Sequence, residues 1–231
     1  MTEIFDPHAA LIAAGQDRAA AWRFIAEFAA YWRRPLAEDD GWCAAELDAA
    51  ERRLGLRLPT ALREALRLVG RRDDLTRNHN RLLRPDELFV HEGALVFREE
   101  NQGCAHWGVL LADLDQDDPG TVVRPDLADK SQERWESWTA RVSLACVETV
   151  MFETVLDDDG LTDHLDASGP ELDLARRFRE LPRLSREIRW FTGPEVLIAD
   201  IDDGAWTSVR ARTAQALESL REELDGDWLN G

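Results

Sequence analysis

Along this 231-residue chain, the spacing of apolar residues switches between a helical period and short strand-like runs, and that alternation restricts the possible folds more than any single motif. Trp22, Ile25, Ala29 and Trp32 recur at three- and four-residue steps, with Arg23, Glu27 and Arg33 between them. Pro35 ends this helix, and Glu38-Asp39-Asp40-Gly41 reads as a linker. A second helix is predicted over 44–54, with Leu47, Ala50 and Leu54 on one face and Gly55 as a left-handed cap. A third follows Pro59, turns Leu62, Ala65, Leu66 and Val69 inward, and stops at Gly70.

The period then shortens. Segments 86–90, 94–98 and 107–111 are rich in Val, Leu and Phe, and Glu92-Gly93 and Asn101-Gln102-Gly103 separate them as turns. A weaker strand at 121–124 is fenced by Pro119 and Pro125. Over 137–156 the helical period returns, with Leu144, Val147, Met151 and Val155 on one stripe. Segment 157–173 is acidic without a Lys or Arg and reads as an extended loop. Strands at 187–191, 196–201 and 205–210 follow, the last two joined by the hairpin loop Asp202-Asp203-Gly204, and a final helix buries Leu217, Leu220 and Leu224. This order predicts an α+β fold with a mostly antiparallel sheet flanked by helices. Residues 1–40 are expected as an N-terminal helical extension and 41–231 as a single domain carrying the acidic loop 157–173. The segments at 86–111 and 187–210 are expected to join one sheet.

Charge narrows the partners. Lys and Arg total 28 and Asp and Glu 46, a net charge of −18. Such a surface repels phosphate backbones and anionic lipid, so neither nucleic acid nor a membrane is expected as a partner, whereas a basic protein is attracted. The first residues, MTEIFDPH, lack the basic stretch of a secretory leader, and Arg23 and Glu27 interrupt the apolar run at 19–32. Three widely spaced cysteines, Cys43, Cys104 and Cys146, make neither a disulfide framework nor a zinc pattern. A cytoplasmic protein with reduced thiols is the expectation.

Catalytic and metal patterns are weak. Cys104 and His106 lie beside Asn101, but a nucleophile usually meets its base across separate elements, and no oxyanion hole is visible. Asp113, Asp115 and Asp117 have the opening spacing of a calcium loop, yet Asp118 stands where glycine is needed and Arg124 where glutamate is needed. The five histidines are scattered singly. No cofactor or metal is therefore expected. Among nine tryptophans, Trp135 and Trp138 sit beside a polar turn at 130–133 and are candidates to anchor an interface.

The stretch 41–70, GWCAAELDAAERRLGLRLPTALREALRLVG, resembles the opening of the SUKH superfamily, which takes in bacterial immunity proteins of polymorphic toxin systems and fungal cell-wall regulators. The resemblance continues through Leu82–Leu88 and 95–103, then Trp107-Gly108-Val109, Asp118-Pro119 and Trp138, and is fainter over 185–225. It implies a noncatalytic protein-binding fold without a cofactor, in which Trp107-Gly108 packs a strand closely on its neighbour. An immunity protein that neutralises a toxin domain, with a nuclease as one candidate, is the leading implication; an interaction or scaffold module without a toxin is the other. For a cationic toxin the candidate contacts are Glu99, Glu100, Asp113, Asp115, Asp117 and Asp118, with Trp135 or Trp138 as the apolar anchor.

Overall fold

The computed structural model describes residues 5–166, 174–201, 204–224 and 226–230. Asp6 accepts hydrogen bonds from the amides of His8 and Ala9 and so starts α1 (Pro7–Ala14), with Pro7 in the first turn, where it costs no hydrogen bond. Asp17 caps α2 (Arg18–Trp32) through the amide of Ala20. These helices do not extend from a separate domain. Leu11, Ala14, Phe24, Ile25, Phe28 and Trp32 are buried in the same cluster as Leu47, Leu62 and Leu66, so α1 and α2 are core helices.

Helices α3 (Ala44–Leu54) and α4 (Thr60–Val69) match the sequence pattern, and Gly55 takes the left-handed conformation, φ +69°, that ends α3. Gly41 and Trp42 fasten the two together. A Cβ on Gly41 would lie 1.6 Å from the Arg67 carbonyl oxygen, and the Trp42 indole donates to the carbonyl of Gly70 at 2.9 Å. A single turn, α5 (Asp73–Thr76), leads into the first sheet.

That sheet holds β1 (Arg81–Leu82), β2 (Phe89–His91), β3 (Ala94–Glu99), β4 (Ala105–Leu110), β5 (Val122–Pro125) and β6 (Glu136–Ser137). Its order is β1-β3-β4-β5-β6, with β2 pairing β3 as well. Glu92 and Gly93, both at positive φ, make the tight turn between β2 and β3. A Cβ on Gly108 would stand 2.8 Å from the Leu95 carbonyl oxygen, so a side chain there would collide with the neighbouring strand.

Helix α6 (Val142–Val155) begins where the Asp118 carboxylate accepts from both the amide and the hydroxyl of Ser143. Every residue of it except Phe152 is buried, so the expected single stripe is instead contact with protein on all sides. Protein on every side also explains its Val and Thr content, since packing outweighs helix propensity.

The second sheet holds β7 (Thr162–Asp166), β8 (Arg179–Glu180), β9 (Ile188–Gly193), β10 (Val196–Ile201), β11 (Trp206–Ala211) and β12 (Asp227–Trp228), in the order β12-β7-β11-β10-β9-β8. All pairings in both sheets are antiparallel. Two expectations are corrected here. The segments at 86–111 and 187–210 lie in two sheets rather than one, because α6 stands between them. Leu95, Val96 and Phe97 from one sheet and Trp190, Leu197 and Ala199 from the other still share the cluster built around α6. The acidic loop 157–173 is in part a strand: residues 162–166 pair with β11 and β12, while 167–173 fall outside the described residues, as do Asp202 and Asp203. The charge there is met from a distance, Asp159 by Arg33 and Arg210, and Asp163 by Arg221. On its far face the second sheet carries α7 (Leu174–Arg177) and α8 (Ala214–Glu223), with Phe191, Val196, Ile198 and Val209 packed against Leu217 and Leu220. Among the described residues no helix is long and apolar enough to cross a membrane.

Glu148 is a buried acid inside α6. The Ser185 hydroxyl donates to its Oε1 at 2.7 Å, its Oε2 has no hydrogen-bond partner, and burial pushes the carboxyl up to about 8. The folded state keeps this proton at pH values where the unfolded chain, near 4.5, has lost it. Stability from this group is therefore whole below pH 4.5 and lost as pH rises toward 8. Above about pH 6.5, beyond the range of His164, which burial lowers, the fall to pH 8 is expected to be about 2 kcal/mol. Urea unfolding of wild type and Glu148→Gln across that range checks it: the variant should lose the slope, and an equal slope in both would contradict the assignment.

Candidate protein-binding surface

Strand pairing sorts the first sheet into two unlike faces. A β-bulge between Val96 and Arg98 shifts the β3–β4 register, so Arg98 pairs with Trp107 rather than with a residue of the opposite face. The Arg98 guanidinium lies 4.6 Å from the Trp107 ring and 5.3 Å from that of Phe152, with Trp138 close by. It meets Glu153 of α6 at 2.8 Å, and Glu153 also accepts from the amides of His79 and Asn80. This face is committed to the interior.

The other face carries Phe89, His91 and His106. Cross-strand register sets Phe89 beside Val96 and Gly108, His91 beside Ala94 and Leu110, and Glu99 beside His106 and Arg124. The His106 ring is 5.7 Å from Phe89, edge to face, and 5.7 Å from His91. His91 in turn is 6.5 Å from Trp135, whose indole donates to the carbonyl of Glu92 at 2.9 Å. All four rings are half-buried, and together they make a continuous aromatic patch. Charged pairs border it: Glu99 holds Arg81 and lies 3.4 Å from His106, and Glu133 holds Arg124 at 3.3 Å. Hydrogen bonds from Lys130 and the Leu127 amide hold the Glu133 carboxyl down to about 2 and so keep the 126–133 turn tied.

The candidate contacts divide. Glu99 and Trp135 lie at this patch. Glu100 turns back on its own loop, accepting from the amides of Gln102 and Cys104. Asp113 accepts from Gln116, Asp115 is exposed, Asp117 accepts from the Thr60 hydroxyl at 2.6 Å, and Asp118 starts α6. Asp117 and Asp118 thus fasten α4 and α6. Trp138 is only 8% exposed and packs, tilted, against Trp107 with ring centroids 5.7 Å apart, so it is a core residue and not a surface anchor. Trp107 itself is half-buried. The sequence did not single out Phe89, and it showed His91 and His106 as isolated residues; only strand pairing unites them. Alternation of Phe89 and His91 on one short strand was the available signal.

The Cys104, His106 and Asn101 trio is not assembled: the His106 ring faces Glu99 and Asn101 contacts the His79 ring. Among the described residues no cluster of three or more His, Cys, Asp or Glu side chains has the geometry to hold a metal ion. No protein-family model matches the chain, and no curated protein or solved structure shows significant similarity to it.

The two tryptophans should separate in stability. Trp138→Ala empties an interior site and is expected to cost about 3–5 kcal/mol, whereas Trp135→Ala at the half-exposed patch should cost about 1 kcal/mol. Denaturant midpoints measure both, and equal losses would mean that Trp135 is as interior as Trp138.

Proposed function

We propose that this protein is a noncatalytic binding protein of the immunity type, which neutralises a basic toxin domain by sitting on it stoichiometrically. The observation that carries this reading is the aromatic patch of Phe89, His91, His106 and Trp135 on an open sheet face, in a chain of net charge −18. Half-exposed rings on a rigid sheet supply contact area at little conformational cost, and ring-rich centres with charged rims are the usual anatomy of a binding site. The negative field draws a cationic partner from a distance; the rings then hold it. The SUKH resemblance supports the same class, since the matched residues Gly41, Trp42 and Gly108 serve the scaffold and leave the patch free to vary. A cytoplasmic setting fits the exposed free thiols Cys43 and Cys104.

The protein product of the adjacent gene is the partner to test, first by co-purification and then by stopped-flow mixing. Association should slow roughly tenfold or more as salt rises from low to several-fold physiological, with dissociation changing far less. Trp135→Ala should instead speed dissociation and leave the salt slope intact. An association rate that is flat with salt sinks the steering part of the proposal, and unchanged dissociation in Trp135→Ala moves the site off this face.

A further inference from the structure

A groove of about 1020 Å³ runs between α1, α2 and the turn joining β9 to β10. Its lining mixes small apolar residues, Ala9, Ala13 and Ala30 near the surface with Phe24 beneath, with charged ones. Helix α1 is unusual beside it. From Ala9 to Ala14 every residue is apolar, and its solvent side carries Ala9 and Ile12, the latter 48% exposed. A helix lying on a protein surface ordinarily turns polar side chains to water. This one exposes Ala9 and Ile12 instead, apolar surface that a partner would cover.

Charge says what covers it. Most charged groups around the groove already have partners: Arg212 lies 4.1 Å over the Tyr31 ring and 3.8 Å from Glu195, and Asp6 caps α1 and reaches Arg179 at 3.5 Å. Arg23 and Glu27 are different. Both are exposed on the outer ridge of α2, one turn apart, and among the described residues neither makes an ion pair or a side-chain hydrogen bond. Their order, arginine before glutamate, is the poorer one for pairing within a helix. Across a two-fold axis the same order is self-complementary. A second α2, antiparallel and crossing near Ile25, sets Arg23 of each copy against Glu27 of the other.

We propose that α1 and α2 form the interface of a homodimer, isologous about that axis. The two Arg23–Glu27 pairs flank the axis, the alanines allow the helices to approach closely, and Ala9 and Ile12 of both copies leave water. A strongly basic partner finds no surplus of acid on this face, because the two unpaired charges cancel. A second copy finds its own pattern inverted. Local neutrality also lets two chains of charge −18 meet here, since screening damps their remaining repulsion beyond about 8 Å at physiological salt. The interface is independent of the function proposed above.

Sedimentation equilibrium at physiological salt, from micromolar to high micromolar protein, tests it on the wild type, Arg23→Glu and the swap Arg23→Glu/Glu27→Arg. The wild type should show a monomer–dimer equilibrium. Arg23→Glu sets like charges against each other and should raise the dimer dissociation constant about tenfold or more. The swap should restore it to within about threefold of wild type, because each pair re-forms reversed. Both side chains are exposed, and matching circular dichroism spectra confirm that the fold is kept; Ala9→Glu, on the outer side of α1, is a further variant expected to be monomeric. A wild type that stays monomeric throughout, a dimer indifferent to Arg23→Glu, or a swap as weak as the single change overturns the proposal.

Discussion

Arg98 on β3 and Glu153 on α6 form an ion pair almost wholly out of water, with side-chain exposures of 2% and 0%. Desolvating two charges is costly, and the pair is tolerable only because its surroundings share the load. Trp107, Trp138 and Phe152 present ring faces to the guanidinium, and the amides of His79 and Asn80 donate to the carboxylate. The side chain of Asn78 adds a bond to the Glu153 carbonyl. One contact thus sets the first sheet, the approach to β1 and the last turns of α6 in a single arrangement. With α6 placed, the second sheet has an apolar surface to close on through Trp190, Leu197 and Ala199, and Arg210 of β11 reaches the carbonyl of Thr154.

The same geometry explains why one face of the first sheet keeps half-buried rings. Its inner side chains are used on α6, and the β-bulge that turns Arg98 inward leaves Glu99 and His106 paired on the outer side. Trp135 folds onto that side and is held by the carbonyl of Glu92, so the patch is built from ordered rings rather than from a mobile loop. Much of the acidity is structural. Asp40 is shared by Arg34 and Arg72, and Asp159 and Asp163 are held by arginines far away in sequence. The field that a cationic partner would meet comes from the acids left over on the surface.

Local signals carried most of the element order. Gly55, the Glu92-Gly93 turn and the run 196–201 each act within a few residues, and the structure places α3, the β2–β3 hairpin and β10 where those signals put them. Non-local facts were not legible. Helix α1 has no apolar period, because all of Ala9 to Ala14 is apolar, and β7 hides in an acidic run whose arginine partners lie elsewhere in the chain. Two sheets could not be told from one without knowing that α6 lies between them. For the site, Trp135 and Trp138 look alike in sequence, yet β6 begins between them and sends one to the surface and the other to the core. Histidines 91 and 106 become neighbours only through β3.

A double-mutant cycle on Arg98 and Glu153 measures how strongly the two side chains depend on each other. If the pair is the contact around which α6 and the first sheet are arranged, Arg98→Met and Glu153→Gln should each cost about 3–5 kcal/mol, since each strands its partner in the interior. The double variant should then lose little more than either single one, a coupling of at least about 2 kcal/mol. Single losses that simply add, each within about 1 kcal/mol, would contradict the account and move the organising role to the apolar contacts of α6.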